Sequence, residues 1–403
     1  MLAARPAPEN CNPLLPPAVA AAVGLLGEAA GHPGDNWPGV LGSLLLGLPA
    51  SAVPPEAAAT ADRAVAGWLT TARPAAHLGA YGDGLTARHL GVLAACRVRP
   101  QLARLAAASR RVLAGHCSAP GVWRTDGIGW EDYDLVTGPA GVLLALSADP
   151  GATPADRAPA LDQLVTLCSG PGLERLRLRT GAEPGRSPWN LGRINLGVAH
   201  GIAGVALALC ATAGRQDLRP GDRAALAAIA DRLTAEVFRD AHGVLTWPAV
   251  AREEPGAEPG TEAVAPVIRQ AWCYGTPGVA WALWEAGRIL GDPASCATAE
   301  AAFTSFVDAG CPNLNPSLWE GLAVCHGDAG LLLLCDAFAR HAGLAAAGAA
   351  RDLIQARLHR RLPDMRDRAG SHQALLTGAP GTLAALLTVA GADRGWLAQI
   401  GLR

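Results

Sequence analysis

Short apolar segments that begin at a pair of glycines recur along the chain, at intervals longer than those of most one-motif solenoids. In each copy the glycines lie at positions i and i+3, and the residues after them are apolar on every side of a helix. Glycines at this spacing share one face of a helical turn and let neighbouring backbones approach closely. The pairs are Gly39 and Gly42, Gly138 and Gly141, Gly201 and Gly204, Gly275 and Gly278, Gly327 and Gly330, and Gly378 and Gly381. A weaker seventh copy lies in H-L-G-A-Y-G-D-G-L.

Segments with one polar and one apolar face lie between these copies, for example P-G-D-R-A-A-L-A-A-I-A-D-R-L-T-A-E-V-F. A helix that is apolar all round must be enclosed by others, whereas a one-faced helix belongs at the surface. The pattern therefore predicts an all-α protein, an α/α toroid with an inner ring of seven helices inside an outer ring of seven. We expect one domain over residues 1–403, with irregular insertions near 173–190 and 244–268. The alternative is a helical bundle in which the glycines only make packing contacts.

The composition of the chain favours helices and excludes several classes of partner. Half of the residues are apolar, only 4% are aromatic, and the net charge is -2 without a single lysine. Such a chain has no basic face for nucleic acid and no polybasic run for a membrane surface. No apolar run reaches the roughly 20 residues that span a bilayer, and the apolar N-terminal segment lacks the flanking charges of a signal peptide. We therefore expect a cytoplasmic protein whose ten cysteines form no disulfide framework.

Chemically active side chains precede the first glycine of several copies. His200, Tyr274 and His326 lie one position before it, and Cys273 and Cys325 lie two positions before it. If every inner helix starts at the same end of the ring, these side chains from different repeats meet at one mouth. The other copies place Thr137, Thr377, Pro38 or Tyr81 at the position before the glycine.

Cys273, Cys325 and His326 together supply two thiolates and an imidazole. This is the ligand set of a zinc site that has three protein ligands and an open fourth position. Helix N-termini favour the thiolate form of cysteine. We expect one zinc ion per chain, with a site suited to activating a substrate thiol. The alternative is two buried cysteines beside a core histidine whose hydrogen bonds are satisfied.

Four further residues are candidates for the chemistry around this metal. His200 would act as a general acid or base, and Tyr274 would donate a hydrogen bond. Asp134 and Arg269 lie near other glycine pairs, and an arginine there can hold an oxygen that gains negative charge. Asp134 can instead cap a helix, and Arg269 can instead brace a loop.

These motifs resemble those of the LanC-type lanthipeptide cyclases. The most specific stretches are Y-D-L-V-T-G, N-L-G-V-A-H-G-I-A-G, W-C-Y-G-T-P-G and C-H-G-D-A-G, and the repeats extend the resemblance over most of the chain. The resemblance implies an α/α toroid with zinc on Cys273, Cys325 and His326, and with Asp134, His200, Arg269 and Tyr274 as the other active-site residues. It also implies addition of peptide cysteines to dehydroalanine or dehydrobutyrine, which closes thioether rings. The expected substrate is a dehydrated precursor peptide with a leader, made by a separate dehydratase.

Other functions remain open at this stage. A LanC-like protein can instead add glutathione to dehydroamino acids, or bind peptides as a scaffold without closing rings. A glycosidase needs two carboxylates across the mouth, and a terpene cyclase needs an aspartate-rich metal site. The two insertions are candidates for leader binding, and either can equally be a plain linker. One departure from the repeat pattern is the pair Arg88 and His89, which lie where an apolar inner helix is expected.

Overall fold

The computed structural model describes residues 14–29, 35–71, 75, 77–179, 190–252, 269–311, 321–366 and 373–403. The described part of the chain contains α-helices, short 3₁₀ segments, a π-helical turn at Phe338–Ala342 and one small hairpin. The helices are α1 (Leu15–Glu28), α2 (Trp37–Leu46), α3 (Ala57–Thr71), α4 (Leu85–Ala95), α5 (Ala103–Cys117), α6 (Pro139–Ala148), α7 (Pro154–Cys168), α8 (Ile202–Ala213), α9 (Pro220–Glu236), α10 (Thr276–Leu290), α11 (Pro293–Asp308), α12 (Asp328–Ala337), α13 (Ala345–Arg360), α14 (Leu362–Arg366) and α15 (Ala379–Val389). The strands are β1 (Phe238–Arg239) and β2 (Leu245–Thr246), which pair antiparallel.

The helices that follow the glycines form a closed inner ring. Each contacts the next in the order α2, α4, α6, α8, α10, α12 and α15, and α15 contacts α2 again. In α6 every residue from Pro139 to Ser147 is buried, as expected for a helix enclosed on all sides. Among the described residues the inner ring therefore has the predicted seven helices, and the α/α toroid is confirmed.

The amphipathic helices form the outer layer. Each of α3, α5, α7, α9, α11 and α13 packs on the inner helix that precedes it in the chain. The last inner helix, α15, instead takes its outer partner from the other end of the sequence, namely α1. In α5 only Ala106, Leu113, Ala114 and Cys117 are buried, and most of the other residues are exposed or half-buried. None of the described helices is long and apolar enough to cross a membrane.

The second glycine of the motif is required because the backbone folds back onto it. A Cβ atom at this position would lie under 3.0 Å from the carbonyl oxygen six residues earlier, closer than real Cβ atoms come. It would also press on a side chain of the preceding repeat, such as Val198 Cγ2 beside Gly278 or Val324 Cγ2 beside Gly381, each at 3.0 Å. The same clash with the loop carbonyl recurs at Gly141, Gly204, Gly278, Gly330 and Gly381. These glycines therefore allow the close approach of neighbouring backbone that the sequence indicated.

The first two copies depart from the predicted register. Five inner helices are capped by the first glycine of their pair, but α2 begins at Trp37 with Asn36 as its cap. Gly39 therefore occupies the place of a second glycine, and Pro38 lies inside the first turn rather than on the rim. This part of the alignment was wrong, because a proline at the start of a helix and two glycines one turn apart fit either register. In the second copy α4 is capped by Gly84, so Tyr81 lies three residues before the cap.

The histidine of the polar pair in the second repeat lies at the boundary between the inner and outer helices. His89 is fully buried in α4, and its Nδ1 lies 2.9 Å from the Ser109 hydroxyl on α5. Its Nε2 lies 3.3 Å from a carboxylate oxygen of Asp149, which also accepts a hydrogen bond from Arg110. A histidine is therefore tolerated in this inner helix because it has polar partners on neighbouring elements.

Only parts of the two predicted insertions lie within the described residues. Arg177 pairs with Ile194, and Asn195 pairs with Val250, each as an isolated antiparallel bridge. Leu176 and Leu178 are buried while Arg179 is exposed, as the alternating Arg and Leu pattern predicted. Residues 180–189 and 253–268, which carry most of the proposed leader-binding segments, lie outside the described residues.

Replacing Gly381 by alanine is expected to destabilise the protein by about 2 to 3 kcal/mol, because the new Cβ would meet the carbonyl oxygen of Leu375. Thermal or denaturant unfolding measures this loss. The matched control is Gly348→Ala in the interior of α13, where the nearest atom to a new Cβ is 3.9 Å away. We expect that change to stabilise the protein by roughly 0.5 to 1 kcal/mol, since alanine is the better helix former. Equal effects at the two positions would contradict this role of the repeated glycine.

Candidate metal centre

The mouth of the ring is built from the loops that precede the inner helices, and several neighbouring loops are hydrogen-bonded to one another. The backbone bonds run from Ala80 N to Val136 O (2.8 Å), from Leu135 N to Ala199 O (3.2 Å), from Val198 N to Cys273 O (2.8 Å) and from Cys325 N to Leu376 O (3.0 Å). Between the last and first repeats, Leu375 N donates to a carboxylate oxygen of Asp35 at 3.2 Å. Residues at the same position in different repeats therefore lie at the same height on the rim.

Cys273, Cys325 and His326 meet at this mouth. One donor atom from each lies within 4.8 Å of the other two, and the distance from Cys325 Sγ to His326 Nε2 is 4.0 Å. Both cysteines are buried, and the histidine is half-buried. Donors on a tetrahedral zinc ion lie roughly 3.5 to 3.8 Å apart, given Zn–S and Zn–N distances of about 2.3 and 2.0 Å. Two soft sulfur donors and one imidazole at these separations fit zinc, with a position left for a further ligand.

His200 is held in one orientation from three sides. Its Nδ1 lies 2.5 Å from a carboxylate oxygen of Asp134, and its ring stacks on Trp130 with the ring centres 4.4 Å apart. The hydroxyl of Tyr133 donates to the backbone carbonyl of His200 at 2.8 Å. Because Nδ1 bonds the carboxylate, Nε2 is the ring nitrogen available for proton transfer. This pair has the geometry of a histidine oriented by an acid.

The carboxylate of Asp134 uses one oxygen to bond His200 and the other to bond the start of α6. It is fully buried, and the oxygen that does not bond His200 accepts hydrogen bonds from the amide of Thr137 at 2.7 Å and from that of Gly138 at 2.9 Å. The Thr137 hydroxyl donates to the same oxygen at 3.0 Å. The helix-capping and histidine-orienting interpretations of this residue are therefore compatible, since α6 starts at Gly138.

Tyr274 lies on the same loop as Cys273, and its hydroxyl accepts a hydrogen bond from the Asn195 side chain at 2.8 Å. The Asn195 carbonyl oxygen in turn accepts from the amide of Gly197 at 2.9 Å, which fixes the amide group of Asn195. Burial raises the pKa of Tyr274 well above its ordinary value, so the phenol stays protonated near neutral pH. Tyr274 is therefore a neutral hydrogen-bonding group beside the thiols.

Arg269 is the site residue that the structure explains least. It is half-buried at the edge of a described segment, and its carbonyl oxygen lies against Gly275. Among the described residues its guanidinium makes no hydrogen bond or ion pair with the cysteines or with His200. Its role in the chemistry stays a prediction.

Two residues near the mouth were not singled out as site residues in the sequence. Asp35 occupies the place of the rim residue in the first repeat, and burial raises the pKa of its carboxyl to about 6 despite hydrogen bonds from the amides of Leu375 and Trp37. Tyr81 lies close to Cys325, Asp35 and Asp134; burial first and these charges second raise its pKa well above 10.0. When the repeats are aligned on the first residues of the inner helices rather than on the glycines, Asp35 falls at the rim position.

The closed inner ring and the outer layer of helices define the class of this protein, an α/α toroid, and the two thiols and the imidazole at its mouth could hold a metal ion. The sequence profile of the lanthionine synthetase C-like proteins matches residues 39–396, so the chain belongs to the lanthionine synthetase C-like family. The solved structure of nisin cyclase is similar in fold, with a TM-score of 0.74, 18% sequence identity and 90% coverage of each chain. No curated protein sequence matches the chain significantly.

Proposed function

We propose that this protein is a zinc-dependent lanthipeptide cyclase that joins peptide cysteines to dehydroalanine or dehydrobutyrine as thioethers. The observation that carries the proposal is the meeting of Cys273, Cys325 and His326 within 4.8 Å at the mouth of the ring. Membership of the lanthionine synthetase C-like family supports it, and the structurally similar protein is itself named a cyclase. The proposed substrate is a dehydrated precursor peptide with a leader, supplied by a separate dehydratase.

The three donors would hold one zinc ion through Cys273 Sγ, Cys325 Sγ and a His326 ring nitrogen, with the fourth position left for the substrate. When bound there, zinc would keep a substrate thiol deprotonated near neutral pH, where a free cysteine with a pKa of about 8.5 is mostly protonated. Two thiolates give the site little net positive charge, so an incoming sulfur stays electron-rich. The chain's own contribution is to orient these donors through loops that are hydrogen-bonded to their neighbours.

The addition requires a proton at the α-carbon after the carbon–sulfur bond has formed. The sulfur electron pair makes the new bond to the β-carbon, the carbon–carbon double bond opens, and the negative charge moves onto the neighbouring carbonyl as an enolate. In our proposal the Nε2 proton of His200 is transferred to the α-carbon. Asp134, bonded to Nδ1 at 2.5 Å, holds the imidazole in the orientation that this transfer needs.

The enolate oxygen needs a hydrogen-bond donor or a positive charge. We propose Tyr274 as this donor, because it stays protonated and its oxygen is held by a hydrogen bond from Asn195. Arg269 is the proposed second group, acting through its permanent charge. Removal of either group would slow the addition without removing the metal ligands.

The direct test uses a dehydrated, leader-bearing precursor peptide encoded beside this protein. Ring closure changes no mass but consumes one thiol and one dehydro residue per ring. We therefore expect the peptide mass to stay constant while the number of thiols that iodoacetamide can alkylate falls, as measured by mass spectrometry. Zinc-free protein, prepared with a chelator and restored with zinc, serves as the control and should react far more slowly.

Other outcomes of the same experiment would point elsewhere. A precursor that keeps every thiol alkylatable, in the presence of folded and zinc-loaded protein, would contradict the cyclase proposal and favour a binding scaffold. In a parallel sample with added glutathione, a gain in mass of one glutathione per dehydro residue would indicate intermolecular addition instead.

A further inference from the structure

We infer that residues 395–403, called here the floor segment, position the metal ligand Cys273 by holding the tryptophan that precedes it. The floor segment begins as a 3₁₀ turn, Gly395–Ile400, which lies against α4 and α6. Three of its successive carbonyl groups accept hydrogen bonds from side chains of the inner ring and its loops. This inference rests on the proposed function only in that it assumes a metal on Cys273.

The three donors come from two repeats and reach the floor segment at consecutive residues. Tyr81 donates its hydroxyl to the carbonyl of Gln399 at 2.7 Å. The indole N–H of Trp272 donates to the carbonyl of Ile400 at 2.9 Å, and that of Trp281 donates to the carbonyl of Gly401 at 3.1 Å. Gly401 has a φ of +68°, which turns the chain at this point and favours glycine.

The floor segment is also fixed at both ends by ion pairs with buried acids. Arg394, directly before it, donates to Asp336 of α12 at 2.7 Å, and Asp336 is fully buried. Arg403 donates to Glu285 of α10 at 2.8 Å, and Glu285 is almost fully buried. A segment held at its ends and along its middle presents its carbonyl groups at fixed positions, so the indole that bonds Ile400 is fixed too.

Trp272 connects this floor to both parts of the metal centre. It is buried and directly precedes Cys273 in the chain. Its Cβ lies 3.2 Å from the position that a Cβ on Gly330 would occupy, in the first turn of the helix that follows Cys325 and His326. In our inference the position of Trp272 therefore fixes the conformation of this loop, and with it the position of Cys273 Sγ relative to the other two donor atoms. Groups that orient metal ligands in this way commonly change metal affinity by 10- to 100-fold when they are removed.

The test compares two tryptophans that bond neighbouring carbonyls of the floor segment. We expect Trp272→Phe to lower zinc affinity by about tenfold or more, measured by competition with a chromogenic chelator at a temperature where the protein is folded. Trp281→Phe is the matched control: it loses an equivalent hydrogen bond to Gly401 but lies within α10, away from the ligands. It should lose similar stability and keep the zinc affinity of the parent protein.

A second variant disturbs the hydrogen bond between Trp272 and the Ile400 carbonyl by changing the floor segment, which is far from Cys273 in sequence. A Cβ on Gly401 would lie 2.7 Å from Leu207 Cδ1, so Gly401→Ala should displace the floor segment and also weaken zinc binding. Unchanged zinc affinity in Trp272→Phe and Gly401→Ala, or an equal loss in Trp281→Phe, would overturn the inference. Failure of the parent protein to bind zinc would instead contradict the proposed metal centre.

Discussion

Replacement of Cys325 by alanine is expected to remove bound zinc and ring-forming activity together. With Cys325 gone, only Cys273 and His326 remain, and two protein ligands do not hold zinc against dialysis as three do. Zinc content, measured by atomic absorption after exhaustive dialysis, should fall from about one ion per chain to background. Activity in the thiol-alkylation assay should fall with it, while the thermal unfolding transition remains cooperative.

The control for this variant is Cys335→Ala in the last turn of α12. Cys335 is fully buried in the helix that follows the ligands, and it does not belong to the group of converging donors. We expect this change to lower stability by about 1 kcal/mol through lost packing and to leave the zinc content at its parent level. Full zinc occupancy in the Cys325→Ala protein would remove this residue from the metal centre.

Replacement of His200 by alanine is expected to slow ring formation by roughly 10²- to 10⁴-fold while the protein keeps its zinc, because the imidazole transfers a proton and does not bind the metal in our proposal. The rate of thiol loss from the precursor peptide measures the first effect, and zinc content measures the second. Asp134→Asn should give a smaller loss of rate, since an amide can still bond the ring nitrogen but holds it less strongly than a carboxylate does.

A histidine outside the mouth provides the comparison. His242 is exposed in the turn between β1 and β2, and His242→Ala should change neither the rate nor the zinc content. Loss of zinc from the His200→Ala protein would make His200 a ligand and would displace one of the three proposed donors. An unchanged rate would assign proton transfer to another group.

The sequence predicted the architecture well because the same pattern of glycines and apolar residues recurs in each repeat. The glycines and the apolar run after them allow only a helix that is enclosed on all sides, and the ring follows from repeating it. The meeting of Cys273, Cys325 and His326 could be predicted for the same reason, since the two cysteines occupy the same position in two repeats and His326 directly follows Cys325. The position of His200 beside Asp134 followed from the same register and from the family resemblance.

What the sequence did not predict depends on contacts between distant segments. Asp35 was missed because the first repeat lacks the capping glycine that marks the register elsewhere. The floor segment carries no motif: its interactions use backbone carbonyls, which every residue has, and their partners lie as many as 318 residues away in the chain. Such interactions are visible only once the ring is closed.

The pairing of α1 with α15 has a consequence for how the chain is made. During synthesis α1 emerges early and can pack at first only on α2 and α3, because its partner α15 is not complete until residues up to Val389 have left the ribosome. Contacts between segments so far apart in sequence slow folding. The loop with Cys325 is in turn completed by Leu376, from the final repeat. Both thiols therefore reach their protected positions only at the end of synthesis, when the final repeat joins the first.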